Sequence, residues 1–176
     1  MDDVRPSEKV VIAKPANKKT SVSKYVCPNL FNIATKIVAD DEKFIPVYQT
    51  EDAACADLVA NLQEPISIYP QGVAIVDCGF SLELKSGYKA CIVARSGTAK
   101  KGLLVGNAPG QIDPDYRGKV GVLLINVSSE IIGIRPGDRI AQIYIEPIYK
   151  FDWVFCKKEH LSATSRGNGG FGSTGV

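Results

Sequence analysis

At 176 residues, 45% hydrophobic and 23% charged, the chain has the length of one domain and the apolar share of a soluble protein with its own core. Twenty-one Lys and Arg face 19 Asp and Glu, and the resulting net charge of +2 excludes a broad basic footprint for nucleic acid, so an anionic ligand has to be met by local cations. No apolar run is as long as a membrane span and the start MDDVRPSEK has no apolar signal core; the expectation is a soluble protein of the cytoplasm, or of a host cell's cytoplasm if viral, with no membrane partner.

Residues up to about Lys24 are Lys-rich with little periodicity and read as a mobile arm, while Asp2, Asp3 and Glu8 carry the wrong sign for a transit peptide. Leu30, Ile33, Ala34, Ile37 and Val38 then recur at helical spacing behind Asn29, a candidate N-cap, and predict a short amphipathic helix. Arm and helix form an N-terminal extension over residues 1–43, which packs on the domain or docks a protein partner. From Phe44 the pattern changes to short apolar runs between Gly, Pro, Asn and Asp turns. The predicted strands are Phe44–Tyr48, Ala74–Asp77, Phe80–Lys85, Lys89–Ala94, Val120–Val127, Arg139–Ile145 and Lys150–Phe155. This spacing predicts an all-β sandwich or barrel over residues 44–160, followed by a glycine-rich C-terminal arm over 161–176.

Cys27, Cys55, Cys78, Cys91 and Cys156 are odd in number, form no CxxC pair and mostly lie in apolar runs, which predicts reduced core thiols and no thiolate metal site. The single histidine, His160, sits among charges in KKEHLS and reads as a solvated loop residue.

The stretch GLLVGNAPGQIDPDYRG, Gly102 to Gly118, carries the most chemistry. Leu103 to Val105 and Val120 to Ile125 flank a centre rich in Gly and Pro, the pattern of a β-hairpin with an elaborated tip. Gly106 and Gly110 permit close backbone approach, and Pro109 and Pro114 stiffen the loop. Asp113, Asp115, Tyr116 and Arg117 add a carboxylate base, a flat aromatic face and a cation within five positions. Taken alone, the stretch equals an ordinary polar hairpin.

Four further stretches stand in order around it: AACADLVA from Ala53, ARSGTAKKGL from Ala94, PGDRIAQ from Pro136 and RGNGGFGSTG from Arg166. Together the five resemble the motifs of the trimeric dUTP pyrophosphatase (dUTPase) family over roughly the last three quarters of the chain. The resemblance implies a distorted jelly-roll-like β-barrel, a homotrimer with active sites shared between subunits, and Mg²⁺-assisted hydrolysis of dUTP to dUMP and pyrophosphate. That reaction limits uracil incorporation into DNA and supplies dUMP for dTTP synthesis.

The resemblance also implies roles by position. Asp113 would activate the in-line water, and Tyr116 would lie against the deoxyribose and leave no room for a 2′-hydroxyl. Main-chain groups of Asn107 to Gly110, with Gln111, Ile112 and Gly121, would meet the uracil edge, where an unmatched polar group rejects cytosine. Arg95, Ser96, Gly97 and Gln142 would hold phosphates, and Arg139 would brace the fold. Asp57 would act on the water shell of Mg²⁺, most of whose other ligands come from substrate phosphates. Arg166, Ser173 and Thr174 would reach the β- and γ-phosphates as the arm closes, with Phe171 stacked on uracil beside Gly172. Cys55 departs from the family, which usually has Gly there, and leaves the local backbone shape open. RGNGGFGSTG is not a Walker A loop, because Ser173 stands where that motif requires Lys.

Two other readings remain at this point. The dCTP deaminases share the barrel but place a Glu on the strand matching VGVLLIN, which has no acid here. A nucleotide-binding trimer that regulates a partner through its N-terminal portion is the reading outside catalysis.

Overall fold

The computed structural model describes residues 34–171 and residue 173. Eleven strands carry the fold: β1 Lys36–Ala39, β2 Ala56–Val59, β3 Ile66–Ile68, β4 Val73–Asp77, β5 Phe80–Glu83, β6 Tyr88–Val93, β7 Leu103–Val105, β8 Gly110–Ile112, β9 Gly121–Asn126, β10 Ile132–Ile134 and β11 Arg139–Pro147. One turn of helix, α1 Ser96–Ala99, follows β6. All pairings are antiparallel: a four-stranded sheet β2-β11-β6-β8, a three-stranded sheet β4-β9-β7, and the pairs β1-β5 and β3-β10. The architecture is all-β and jelly-roll-like, as expected, with separate sheets around one core and no unbroken hydrogen-bonded barrel.

Strand alternation places the core. On β9, Val122, Leu124 and Asn126 point inward while Gly121, Leu123 and Ile125 point outward, the two-residue period of a half-buried strand. Leu58, Val76, Phe80, Leu124, Ile134 and Ile140 join them in one apolar cluster. Asn126 is fully buried and fully engaged: its Nδ2 donates to the carbonyls of Ile68 (2.8 Å) and Glu130 (2.7 Å), and its Oδ1 accepts from Ser128 N and Oγ. It ties the β3 and β10 edge to the end of β9, and every bond replaces one to water.

Three expectations need correction. Residues 36–39, the end of the predicted helix, form strand β1; the rest of that helix lies outside the described residues. KIVA pairs residue for residue with β5, Lys36 opposite Glu83 at 3.4 Å and Ile37 opposite Leu82, so β-branched side chains and an open strand edge override the helical spacing. Phe44–Tyr48 is not a strand. The Asp41 side chain accepts from Lys43 N (3.0 Å) and starts a 3₁₀ turn over Glu42–Phe44, and Pro46, which has no N–H, leaves a single bridge, Val47 to Asp57. Lys150–Phe155 also lacks strand pairing among the described residues and lies exposed, Trp153 and Phe155 above 90%.

Of the cysteines, Cys78 and Cys91 are core residues and Cys55 is half-buried, but Cys156 is exposed because it belongs to that unpaired segment; Cys27 lies outside the described residues. Burial, and secondarily the Asp77 charge, pushes the Cys78 thiol up to about 12. No described helix is long and apolar enough to cross a membrane.

Candidate active site

The predicted hairpin forms, and its tip does more than turn. β7 pairs with β9, Leu103 opposite Asn126 and Val105 opposite Leu124. Between them the chain crosses to the other sheet as β8, with Gly110 opposite Ile92 and Ile112 opposite Ala90 on β6. The tip therefore bridges two sheets and walls a cleft. Ile92, Asn107, Gly110, Gln111, Gly121 and Leu123 line one part; Gln111, Asp113, Tyr116, Lys119 and Gly121 line the adjoining part. Asn107, Gly110, Gln111, Ile112, Asp113, Tyr116 and Gly121 thus line one cleft. Sequence reading passed over Ile92, Leu123 and Lys119; for Lys119 the signal was its place between the YRG turn and the apolar run of β9.

Glycines make the walls possible. A Cβ on Gly110 would come within 3.3 Å of Asn107 Oδ1 and 3.5 Å of Ile92 Cβ. At Gly118 it would come within 2.6 Å of Tyr116 Cζ, closer than real contacts allow, so a side chain there would push the Tyr116 ring from its place. Tyr116 Oη donates to Lys119 O at 3.0 Å, and Tyr116 N donates to Asp113 O at 3.2 Å. Arg117 Nη1 donates to the carbonyls of Pro114 (2.7 Å) and Tyr116 (2.9 Å), so this cation braces its own turn. The Asp113 carboxylate is exposed and is engaged by no hydrogen bond or ion pair among the described residues. The Lys119 ammonium is paired with Asp40, and that bond raises its pKa above the ordinary lysine value.

A second group of site residues gathers on the four-stranded sheet. The β11 register sets Gln142 opposite Asp57 of β2 on one side and Val93 of β6 on the other. Asp57 is 9% exposed, and each carboxylate oxygen accepts from one guanidinium: Oδ1 from Arg95 Nε at 2.7 Å, Oδ2 from Arg139 Nη1 at 3.1 Å. Arg95 Nη1 donates onward to Arg139 O at 3.3 Å. The bracing role expected of Arg139 is met, and Arg95 shares it. A buried carboxylate and two cations held this way form a rigid unit. Gln142 Nε2 donates to Ala94 O at 3.2 Å, and Ser96 and Gly97 lie exposed at the first turn of α1. Cys55 sits at an ordinary negative φ, so the residue in the usual glycine place brings no left-handed strain. Burial, then the Asp57 charge, raises its thiol pKa.

The described residues of the arm are not brought to the cleft within one chain. Its described residues are almost all exposed and hydrogen-bond among themselves, as where Arg166 Nε donates to Gly169 O at 3.0 Å. Among the described residues neither part of the cleft is lined by Arg166, Phe171 or Ser173, nor by Asp57, Arg95 or Gln142. Gly172 and Thr174 lie outside the described residues.

Fold and cleft define an all-β protein with a cleft walled by a hairpin that carries one exposed carboxylate, Asp113, and one aromatic ring, Tyr116. The family model described as dUTPase matches residues 41–175. The deoxyuridine 5′-triphosphate nucleotidohydrolase of Desulfotalea psychrophila is 46% identical over 133 residues, 75% of this chain and 87% of that protein. A mutant dUTPase of Staphylococcus bacteriophage 80alpha, solved with dUpNHpp, superposes with a TM-score of 0.69 at 24% identity, over 82% of this chain and all of that one. A mutant dUTPase of phage phi11 of S. aureus, described with a structural Mg(II) ion, gives 0.62 at 21% identity over 72% of this chain and 98% of that one. The chain belongs to the dUTPase family.

Proposed function

We propose that the chain hydrolyses dUTP to dUMP and pyrophosphate, with the β7–β9 hairpin as its nucleoside site. The observation that carries this reading is the free Asp113 carboxylate beside Tyr116 on a tip pinned to two sheets. Attack on the α-phosphorus needs an in-line water, a base and positive charge around the leaving pyrophosphate. Asp113 takes the proton from that water, and its turn holds the carboxylate still while the proton moves. The Tyr116 ring packs against the sugar and excludes a 2′-hydroxyl. Main-chain groups of Asn107, Gly110, Gln111 and Ile112, with Gly121 opposite, read the uracil edge; their own groups are left unmatched by cytosine, a costly mismatch.

Arg95, Ser96, Gly97 and Gln142 receive the phosphates. These residues and the hairpin cleft form separate groups within one chain, and the segment with Tyr149, Phe151, Trp153 and Phe155 is exposed. A homotrimer answers both facts: neighbouring copies complete each site and cover the aromatic segment. The arm then closes over the nucleotide, Phe171 against uracil beside Gly172, with Arg166, Ser173 and Thr174 on the β- and γ-phosphates.

No group of three His, Cys, Asp or Glu side chains that could cage a metal occurs among the described residues. That suits Mg²⁺, which keeps its waters and takes its remaining ligands from phosphates. Asp57, with each oxygen accepting one guanidinium bond, has lone pairs left that would accept from a metal-bound water, and Mg²⁺ when bound would neutralise phosphate charge. Free thiols at Cys55, Cys78, Cys91 and Cys156 agree with work in a reducing cytoplasm.

The test is pyrophosphate release from dUTP, dCTP, dTTP and UTP with Mg²⁺ and with a chelator. Release from dUTP alone, lost on chelation, is the expected result. Ammonia from dCTP would reassign the chain to the deaminases, against the absence of an acid on β9; neither product would leave a binding trimer.

A further inference from the structure

A charge cluster outside the hydrolytic scheme converges on the end of the hairpin. The Lys119 ammonium donates to Asp40 Oδ2 in a short ion pair and stands 3.9 Å from Asp77 Oδ2. Asn61 Nδ2 donates to the same two carboxylates, at 3.2 Å to Asp40 and 3.1 Å to Asp77. The Asp77 carboxylate is tethered by Gly79 N, which donates to its Oδ1 (2.9 Å), and the Asp40 main chain is tied to the same glycine, Asp40 N donating to Gly79 O (2.8 Å). Three segments, those following β1, following β2 and ending β4, therefore meet on one lysine side chain.

The other end of Lys119 faces the site. Its main-chain carbonyl accepts the Tyr116 hydroxyl, and the next residue is pinned on both sides: Val120 N donates to Phe80 O at 2.8 Å and Val120 O accepts from Cys78 N at 2.9 Å. Between Tyr116 and Lys119, Gly118 leaves room for the ring where a Cβ would meet it. An exposed ion pair by itself contributes little. Here four groups share the load and hold one peptide unit, which is the situation in which a polar network orders its surroundings.

We propose that Lys119 is a positioning residue for Tyr116: its side chain, clamped by Asp40 and Asp77, which Asn61 bridges, fixes the carbonyl that aims the aromatic ring and so sets the discrimination between deoxyribose and ribose. This rests on the dUTP reading above. Loss of the clamp lets the carbonyl shift, the ring swing, and a 2′-hydroxyl enter.

The experiment compares wild type with Lys119→Met, Lys119→Arg, Tyr116→Phe and the Lys119→Met/Tyr116→Phe double variant. The ratio of kcat/KM for dUTP over UTP should fall about five-fold in Lys119→Met and in Tyr116→Phe, the worth of one neutral hydrogen bond. The double variant should fall no further than either single one, and Lys119→Arg should restore the ratio. A ratio unchanged in Lys119→Met, or losses that add in the double variant, would overturn the proposal. A second readout does not need turnover: in ring-¹³C-tyrosine spectra the Tyr116 signal, identified by its loss in Tyr116→Phe, should move in Lys119→Met. An unmoved signal refutes the coupling even if wild type proves inactive on dUTP, and inactivity alone refutes only the substrate reading.

Discussion

Replacing Asp57 by Ala removes the common partner of two arginines, and the structure sets the size of the effect. The carboxylate side chain is 9% exposed, Arg95 is 23% exposed and Arg139 is 49% exposed. Breaking a buried pair by deleting one partner costs about 3–5 kcal/mol, most of it from the charge left without a counterion. Arg139 is half in water and turns to it at small cost, whereas Arg95 is three-quarters covered and cannot. The expected loss is therefore about 3 kcal/mol, the lower end of that range, or about 10 °C in Tm for a domain of this size. Asp57→Asn keeps one acceptor for Arg95 and should lose about half as much. The assay is urea and thermal unfolding at one fixed protein concentration, since assembly would shift Tm with concentration. In a double-mutant cycle, Asp57→Ala and Arg139→Met should couple by about 1 kcal/mol and Asp57→Ala with Arg95→Met by more. An Asp57→Ala variant as stable as wild type would refute the reasoning, and would mean that these contacts are not held in solution.

Other outcomes follow from the same geometry. Asp113→Asn should abolish dUTP turnover while a non-hydrolysable analogue still binds within about three-fold, measured by calorimetry; full activity would remove Asp113 from the base role. Gly118→Ala places a methyl where the Tyr116 ring lies, and should lower kcat/KM for dUTP about ten-fold while Tm changes little, the assay being steady-state kinetics beside a melt. The Cys78 thiol, raised from 9.0 to about 12, stays neutral in the fold while the unfolded chain ionises above pH 9. Stability should therefore fall between pH 9 and 12 by about 1.4 kcal/mol per unit from this group. Cys78→Ala should flatten that alkaline limb in urea titrations, and an unchanged slope would assign it to other groups.

The parts of this protein that its sequence determined are those that local chemistry specifies. Turn residues between apolar runs mark the β7–β9 hairpin, because a hairpin is closed by neighbours and needs no distant partner. Asp113 and Tyr116 were legible on the same tip, whereas VGVLLIN reads only as an apolar run, and its period-two burial, with Asn126 inside and Leu123 and Ile125 outside, is set by the folded sheet. The parts that required the tertiary structure are those in which two distant segments decide each other. KIVA could be read as the end of a helix until β5, 47 residues away at the Lys36–Glu83 pair, offered it an edge. Gly110–Ile112 is too short to announce itself and becomes β8 only against β6. Lys150–Phe155 has strand-like residues but no pairing partner among the described residues, and so stays outside the sheets and exposed. The clamp on Asp57 and the clamp on Lys119 join residues 38 to 82 positions apart, a separation at which sequence spacing carries no geometry. Side-chain identity dictates what each group can do; only the folded chain brings the charges close enough for one to position another.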